Sequence, residues 1–157
     1  MRDQFGAKNL ALDPDIAFGG VVGSMKEQFE KVNLAATAGD ESRYAQRTLA
    51  DMRANLQGGR EIYRAFSGWV SETSSPELDK SIVDGFARIA TSYDAIDGSA
   101  IPAVPKDFDS VMPSEADLKT PYGQLWQLLT DEGDARRDGS LVHAMVVAGK
   151  AMGIDIQ

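Results

Sequence analysis

The chain has 157 residues, no cysteine and a formal net charge of −8 at pH 7. Its length is typical of one domain, and the lack of cysteine excludes disulfides, thiolate catalysis, zinc–cysteine sites and iron–sulfur clusters. The acidic charge argues against nucleic acid as a partner, because such binding depends on Lys and Arg neutralising phosphate. No apolar run approaches the roughly 18 residues of a membrane span, so we expect no transmembrane segment.

A first helix is predicted from Pro14. Asp13 supplies an N-cap, Pro14 suits the first helical position, and Gly39 is a natural end. The three glycines between residues 19 and 23 each cost about 1 kcal/mol relative to alanine in a helix. We therefore expect either an irregular turn or a closely packed neighbouring helix there. The predicted buried face consists of Ile16, Val21, Met25, Phe29 and Val32.

A second helix is predicted from about Ser42 to Val70, with a kink or a tight helix crossing at Gly58 and Gly59. Its apolar stripe comprises Tyr44, Thr48, Met52, Asn55, Gly59, Ile62, Phe66 and Trp69, widened by Leu49, Leu56 and Tyr63. A third helix follows the Ser75-Pro76 cap and ends before Gly98. Its stripe is Leu78, Ile82, Phe86, Ile89, Tyr93 and Ile96.

Residues 98–120 are predicted to form one long proline-containing loop with a short helical turn at 114–118. A loop of this length is either functional or held against the surface, in the second case by Ile101, Val104, Phe108 and Val111. Thr120 then caps a fourth helix that the polar run 131–139 ends, and Ser140 begins a last helix that stops at Gly153. The prediction for residues 1–157 is a single all-α domain, an up-and-down bundle of four to five helices.

Catalytic and metal-ligating signals are weak. His143 is the only histidine, which excludes a two-histidine zinc site within this chain, and we expect it at the edge of the bundle with its ring nitrogens bonded. The acidic residues between 131 and 134 lie beside Arg136 and Arg137, a pattern typical of a charge-balanced helix end. We predict no catalytic residue and no metal ligand.

One polar stripe is richer than a surface helix requires. Thr48, Asp51 and Asn55 share a helix face, Arg43 precedes them and Arg60 follows. Polar groups beside a core need partners or water, so the stripe is either a structural hydrogen-bond layer or the wall of a cleft. If it is a cleft, these five residues are the candidate ligand-binding site, with Asp51 as acceptor and the arginines as anion-binding groups.

The segment 42–63, the phrase Ser75-Pro76-Glu77-Leu78-Asp79 and the closing Met152-Gly153-Ile154 resemble imelysin-type proteins. These are bacterial cell-envelope proteins that include iron-regulated periplasmic lipoproteins. The resemblance covers roughly residues 40–97 and 121–154. It implies an all-helical fold built from two related four-helix bundles with a site in the cleft between them. This chain resembles the later bundle, as a shortened relative or as a fragment, and its partner would then be a second helical bundle or another envelope protein.

The hallmark of that family, Gly-x-His-x-x-Glu, has no counterpart here, because Ala-Met-Val follows His143. A metallopeptidase activity is therefore not implied. What the resemblance implies is a non-enzymatic domain of the periplasm or cell envelope that binds a ligand or partner in iron or other metal acquisition. Two alternatives stay open: part of a metal-dependent hydrolase whose metal-ligand motif lies outside this chain, and a pure protein-interaction module. The sequence names no cofactor.

Overall fold

The computed structural model describes residues 13–36 and 47–156. Those ranges contain seven helices and no strand, which confirms the predicted all-α bundle. The helices are α1 (Pro14–Ala35), α2 (Thr48–Arg64), α3 (Ser67–Thr73), α4 (Pro76–Asp94), α5 (Glu115–Leu118), α6 (Pro121–Gly133) and α7 (Leu141–Met152). Five of them are long, as predicted, while α3 and α5 are one or two turns each.

Side-chain caps determine where most of the long helices begin. The side chains of Asp13, Ser75, Thr120 and Ser140 each accept a backbone N–H from the first turn of α1, α4, α6 and α7. These bonds satisfy amide groups that have no partner inside the helix. At the other end of α7, Gly153 adopts a left-handed conformation with φ of 76°, which a glycine adopts without steric cost.

The single helix predicted from Ser42 to Val70 is wrong in its second half, because α2 ends at Arg64 and α3 begins at Ser67. Its predicted start, like the predicted end of the first helix at Gly39, lies outside the described residues. The bend coincides with contacts from another helix. Asp79 on α4 accepts hydrogen bonds from the Tyr63 hydroxyl at 2.6 Å and the Ser67 hydroxyl at 2.9 Å. One carboxylate thus joins α2, α3 and α4.

Three residues predicted to be buried are exposed: Ile16 by 73%, Ile62 by 45% and Trp69 by 38%. The helical period explains the first two errors. Ile16 precedes the buried Phe18 by two residues, which places it about 200° around the helix, and Ile62 lies about 100° from the buried Tyr63. For Trp69 the bend before α3 changes the register of the stripe. The rest of the predicted apolar stripes within the described residues is buried or half-buried.

The core is one contiguous apolar cluster to which all five long helices contribute. Aromatic rings form its centre: Phe18 contacts Phe66 edge-on at 5.1 Å, and Tyr63 lies between Phe18 and Phe86. Such pairs stabilise the core beyond the burial of their apolar area, because ring edges and faces carry opposite partial charge. The α4 stripe predicted from the sequence forms one wall of this core.

Two glycines allow close helix crossings. A Cβ atom on Gly59 would lie 3.0 Å from the Met25 methyl group, so the tight crossing predicted there is confirmed while α2 itself continues unbroken. A Cβ atom on Gly85 would lie 2.9 Å from the Leu141 Cβ atom. Around the α1 glycines at 19, 20 and 23 the prediction is wrong on both alternatives: α1 is continuous, and no described atom lies within 4 Å of the missing Cβ positions.

The loop at 98–120 lies against the bundle through its middle. The Phe108 ring contacts those of Tyr122 and Trp126 at 5.0 and 5.6 Å, and Ile101 and Val104 are half-buried, as predicted. Val111 is 90% exposed, so its predicted contact is wrong. The Asp109 carboxylate accepts the backbone N–H groups of Val111 and Met112, which closes the loop on itself at this point.

Phe86→Ala should lower the free energy of unfolding by about 3–5 kcal/mol, because the ring is 1% exposed and its removal leaves a cavity. Val83→Ala is the matched control on the same helix, since Val83 is 42% exposed. It should cost less than about 1 kcal/mol. Urea denaturation of both variants measures the difference. Equal losses would show that the register of α4 is not the one described.

Gly85→Ala should destabilise the fold by about 1–3 kcal/mol, because its Cβ would press against both the side chain and the backbone of Leu141. Gly58→Ala, where a Cβ atom meets nothing within 4 Å, should instead stabilise it by about 0.5–1 kcal/mol through helix propensity. Opposite shifts of the two urea midpoints are expected. A stabilising Gly85→Ala change would contradict the close α4–α7 crossing.

Candidate functional site

A groove of about 300 Å³ runs between α2 and α4 and is the candidate site; we call it the α2–α4 groove. Its lining residues are Arg53, Leu56, Gln57 and Arg60 from α2 with Ala90, Tyr93 and Asp94 from α4. The α2 side chains that line it follow helical spacing along one edge of the buried stripe. The volume is at the lower end of the range for small-molecule sites.

Arg53 holds the two walls of the groove together. Its guanidinium donates to the backbone carbonyls of Tyr93 and Ile96 at 2.6 Å and of Gly98 at 2.5 Å. These carbonyls belong to the end of α4 and the residues after it, where a helix leaves its last C=O groups without partners and carries partial negative charge. Arg53 is thus a C-terminal cap supplied by a neighbouring helix.

Arg60 lies two turns further along the same edge of α2. It is half-buried, and it makes no hydrogen bond or ion pair with any of the described residues. Its neighbour Gln57 donates to Glu61 at 2.5 Å, and Asp94 is the one carboxylate among the groove's lining residues. A guanidinium in a concave surface without an acidic partner can bind a carboxylate or phosphate through paired N–H donors.

The structure does not bring the predicted site residues to one surface. Thr48 is 6% exposed and faces the core, Asp51 is exposed, and Asn55 is half-buried. Five residues separate Asn55 from Arg60, which corresponds to about 140° around the helix, so they lie on opposite edges of the buried stripe. Only Arg60 lines the groove, and Arg43 lies outside the described residues.

Sequence reasoning missed Arg53, although Arg53, Gln57 and Arg60 recur at i, i+4 and i+7. That spacing was the available signal for a polar edge. The spacing could not indicate the acceptors. The carbonyls that Arg53 binds lie 40 to 45 residues away in sequence, and they are backbone groups, which every residue has.

The acidic run at 131–134 is a charge-balanced helix end for two of its residues, because Arg136 pairs with Asp134 and Arg137 with Asp131. Its third acid, Glu132, has a different role. Glu132 is 6% exposed and accepts two N–H groups of Arg88, at 2.5 and 3.0 Å. Its Oε2 atom also accepts the backbone N–H of Leu141 at 2.8 Å. These bonds join α4, α6 and the start of α7, and the pairing raises the pKa of Arg88. The interaction is structural, because every acceptor atom is occupied by a neighbouring element.

Buried tyrosines form further structural links. The Tyr93 hydroxyl donates to the fully buried Gln28, and the Tyr122 hydroxyl donates to the Val32 carbonyl, each at 2.8 Å. Burial raises the pKa of Tyr93, and it raises the pKa of Tyr122 to about 12. Neither phenol can act as a base near neutral pH, since both keep their protons.

His143 is placed as predicted. Its Nδ1 atom lies 2.9 Å from the Ala135 carbonyl oxygen, its Nε2 atom lies 3.4 Å from Asp138, and the side chain is 31% exposed at the start of α7. Within residues 13–36 and 47–156, no three His, Asp or Glu side chains come close enough to hold a metal ion. The donor set of the α2–α4 groove, two guanidiniums and one carboxylate, suits an anion better than a bare cation.

Comparison with known families identifies the relatives of this fold. The Imelysin family profile (Peptidase_M75) matches residues 1–131, which is most of the chain. The chain belongs to the imelysin family. No curated protein and no solved structure gives a significant match.

The imelysin match covers both walls of the α2–α4 groove and ends before α7. The resemblance expected around Met152, Gly153 and Ile154 is therefore not part of the match and stays a prediction. Whether the domain corresponds to the later of two bundles also stays a prediction. Across the described part of the chain, no helix has the length and apolar character needed to cross a membrane.

Arg53→Ala should lower the free energy of unfolding by about 1.5–3 kcal/mol, because it removes charge-assisted hydrogen bonds from three carbonyls at the end of α4. Arg53→Lys should recover part of the loss, since an ammonium group can reach fewer of these acceptors. The control is Arg64→Ala, whose exposed pair with Glu61 should contribute less than about 1 kcal/mol. Hydrogen exchange of the α4 C-terminal amides gives a local readout, and unchanged protection in Arg53→Ala would contradict the capping role.

Proposed function

We propose that this imelysin-family domain is a non-enzymatic binding domain of the periplasm or cell envelope that acts in iron or other metal acquisition. The α2–α4 groove is its binding surface, and Arg60 is the side chain that contacts the ligand. One observation carries the choice of surface: a half-buried guanidinium lies in a concave site with no acidic partner among the described residues.

Family membership supports the cellular role, because imelysin proteins are typically extracytoplasmic. A binding role in place of catalysis is supported by the chain's own residues. It has one histidine, no cysteine and no Gly-x-His-x-x-Glu motif, so it does not supply the ligands that the family's peptidase hypothesis requires. The groove supplies hydrogen-bond donors and an apolar floor, which are the elements of a binding site.

The other predicted ligand-binding residues stay predictions. Asp51 is exposed on the opposite edge of α2 from Arg60, and Asn55 lies half-buried beside it, so both could take part in a second contact surface. Thr48 is buried and would act only through the packing of the first turn of α2. A partner such as a second helical bundle would contact α2 through its exposed side chains, Asp51 among them.

The test is metal accumulation in the source cell. Deleting the gene should lower the uptake of radiolabelled iron under iron limitation, and the wild-type protein should restore it. Arg60→Gln should restore it poorly, because the variant loses the unpaired positive charge. Arg136→Gln is the control: it removes the same charge from a side chain that is 91% exposed, pairs with Asp134 and does not line the groove.

The outcomes separate the hypotheses. Unchanged iron, zinc and manganese contents after deletion would overturn the acquisition role. Full rescue by Arg60→Gln would agree with a role in metal acquisition but would show that the groove is not the binding site. A deletion strain that accumulates metal normally and loses a peptide-cleaving activity would favour the alternative of a hydrolase component.

A further inference from the structure

The α2–α4 groove carries positive charge in an acidic protein. Its lining includes two arginines and one aspartate, a formal charge of +2 − 1 = +1, on a chain whose net charge is −8. The partial negative charge at the end of α4 offsets part of the charge of Arg53. Arg60 makes no hydrogen bond or ion pair with the described residues, Asp94 of the same groove included, so its charge is the principal electrostatic feature of the groove.

Both arginines have donors left for a ligand. Arg53 uses its two terminal nitrogens for the three carbonyls, and its Nε–H makes no hydrogen bond with the described residues. Arg60 offers its whole guanidinium. Their Cα atoms are seven residues apart on one helix, which is about 10 Å. The Arg53 guanidinium is bound to the end of α4 and cannot turn freely toward a ligand at Arg60. Two acid groups on one small skeleton therefore suit the pair of arginines better than a single carboxylate or phosphate group.

The floor between the two arginines favours a ligand with carbon atoms. Leu56, 5% exposed, and the half-buried Ala90 contribute apolar surface there. A hydrated inorganic anion gains nothing from such a surface, while the methylene groups of an organic acid gain about 0.8 kcal/mol for each CH₂ buried. The groove's volume of about 300 Å³ limits the ligand to a small molecule.

A free metal cation is a poor occupant of the same groove. Two guanidiniums repel it, and Asp94 is the only carboxylate in the lining. Divalent and trivalent metals need several oxygen or nitrogen donors, which the groove does not provide. A metal can be accommodated only if its ligand brings the donors and reverses the sign of the charge.

From these features we infer that the α2–α4 groove binds a small polycarboxylate anion, and that metal enters it as an anionic carboxylate chelate. This inference rests on the proposed function, because it takes the groove as the binding surface. It adds the chemical class of the ligand: two or more carboxylates on a short carbon skeleton, one for Arg60 and one for the free N–H of Arg53.

Titration calorimetry at low ionic strength tests the inference, because salt screens an exposed charged site. The probes are citrate, ferric citrate, inorganic phosphate and ferrous iron. Citrate should bind the wild-type protein with one site per chain, and ferric citrate should compete with it. Phosphate should bind more weakly, since it has one acid group. Ferrous iron titrated in the absence of citrate should show no binding.

Arg60→Gln should weaken citrate binding by at least about tenfold, as expected for the loss of a charge-assisted pair, and Arg60→Lys should fall between Arg60→Gln and the wild type. Arg136→Gln should leave the affinity unchanged. Thermal melting should show that all three variants are folded, because neither Arg60 nor Arg136 is part of the apolar core. Competition between citrate and ferric citrate is measured on the wild-type protein, so this part of the test does not depend on the folding of any variant.

Absence of citrate binding would overturn the inference, as would phosphate binding as tight as citrate, or equal weakening in Arg60→Gln and Arg136→Gln. Tight ferrous iron binding without citrate would overturn it as well. These results are distinct from the failure of the proposed function. If the deletion strain shows an uptake defect but the purified protein does not bind citrate, the proposed function holds and only this ligand class is wrong.

Discussion

The guanidinium of Arg53, bound to three carbonyls at the end of α4, is the contact on which the candidate site depends. Helix ends leave carbonyl groups without partners, and here another helix supplies donors in addition to the backbone N–H groups of the residues that follow. The bonds fix the distance between α2 and α4 at one end of the groove. They also determine where the long loop at 98–120 leaves the bundle, because Gly98 is one of the acceptors.

Two carboxylates have the same linking role elsewhere in the bundle. Asp79 joins α2, α3 and α4 through the Tyr63 and Ser67 hydroxyls. Glu132 joins α4, α6 and α7 through Arg88 and the Leu141 amide. A carboxylate that is buried, as in Glu132, or half-buried, as in Asp79, is costly unless its oxygens are occupied. Each of these residues therefore specifies one arrangement of three helices. The apolar cluster contributes most of the favourable burial, and the polar contacts select the arrangement.

Much of the fold could be predicted because its signals are local. Caps such as Ser75 and Ser140 act on amides three residues away, and the α4 stripe from Ile82 to Tyr93 repeats with the helical period. The bend before Ser67 could not be predicted, because no breaker precedes it and its cause is Asp79 on another helix. The site was harder still. Arg60 was found from its polar neighbourhood, whereas Arg53 was missed because its acceptors are backbone atoms distant in sequence.

The aromatic contacts of the loop at 98–120 make the attachment of the loop measurable by tryptophan fluorescence. The chain has two tryptophans. Trp126 is 8% exposed and lies between the rings of Phe108 and Phe29, while Trp69 on α3 is 38% exposed. An indole in an apolar environment emits at shorter wavelength than one in contact with water. The emission of a Trp69→Phe variant would therefore come from Trp126 alone and should shift to longer wavelength when the loop detaches from α6.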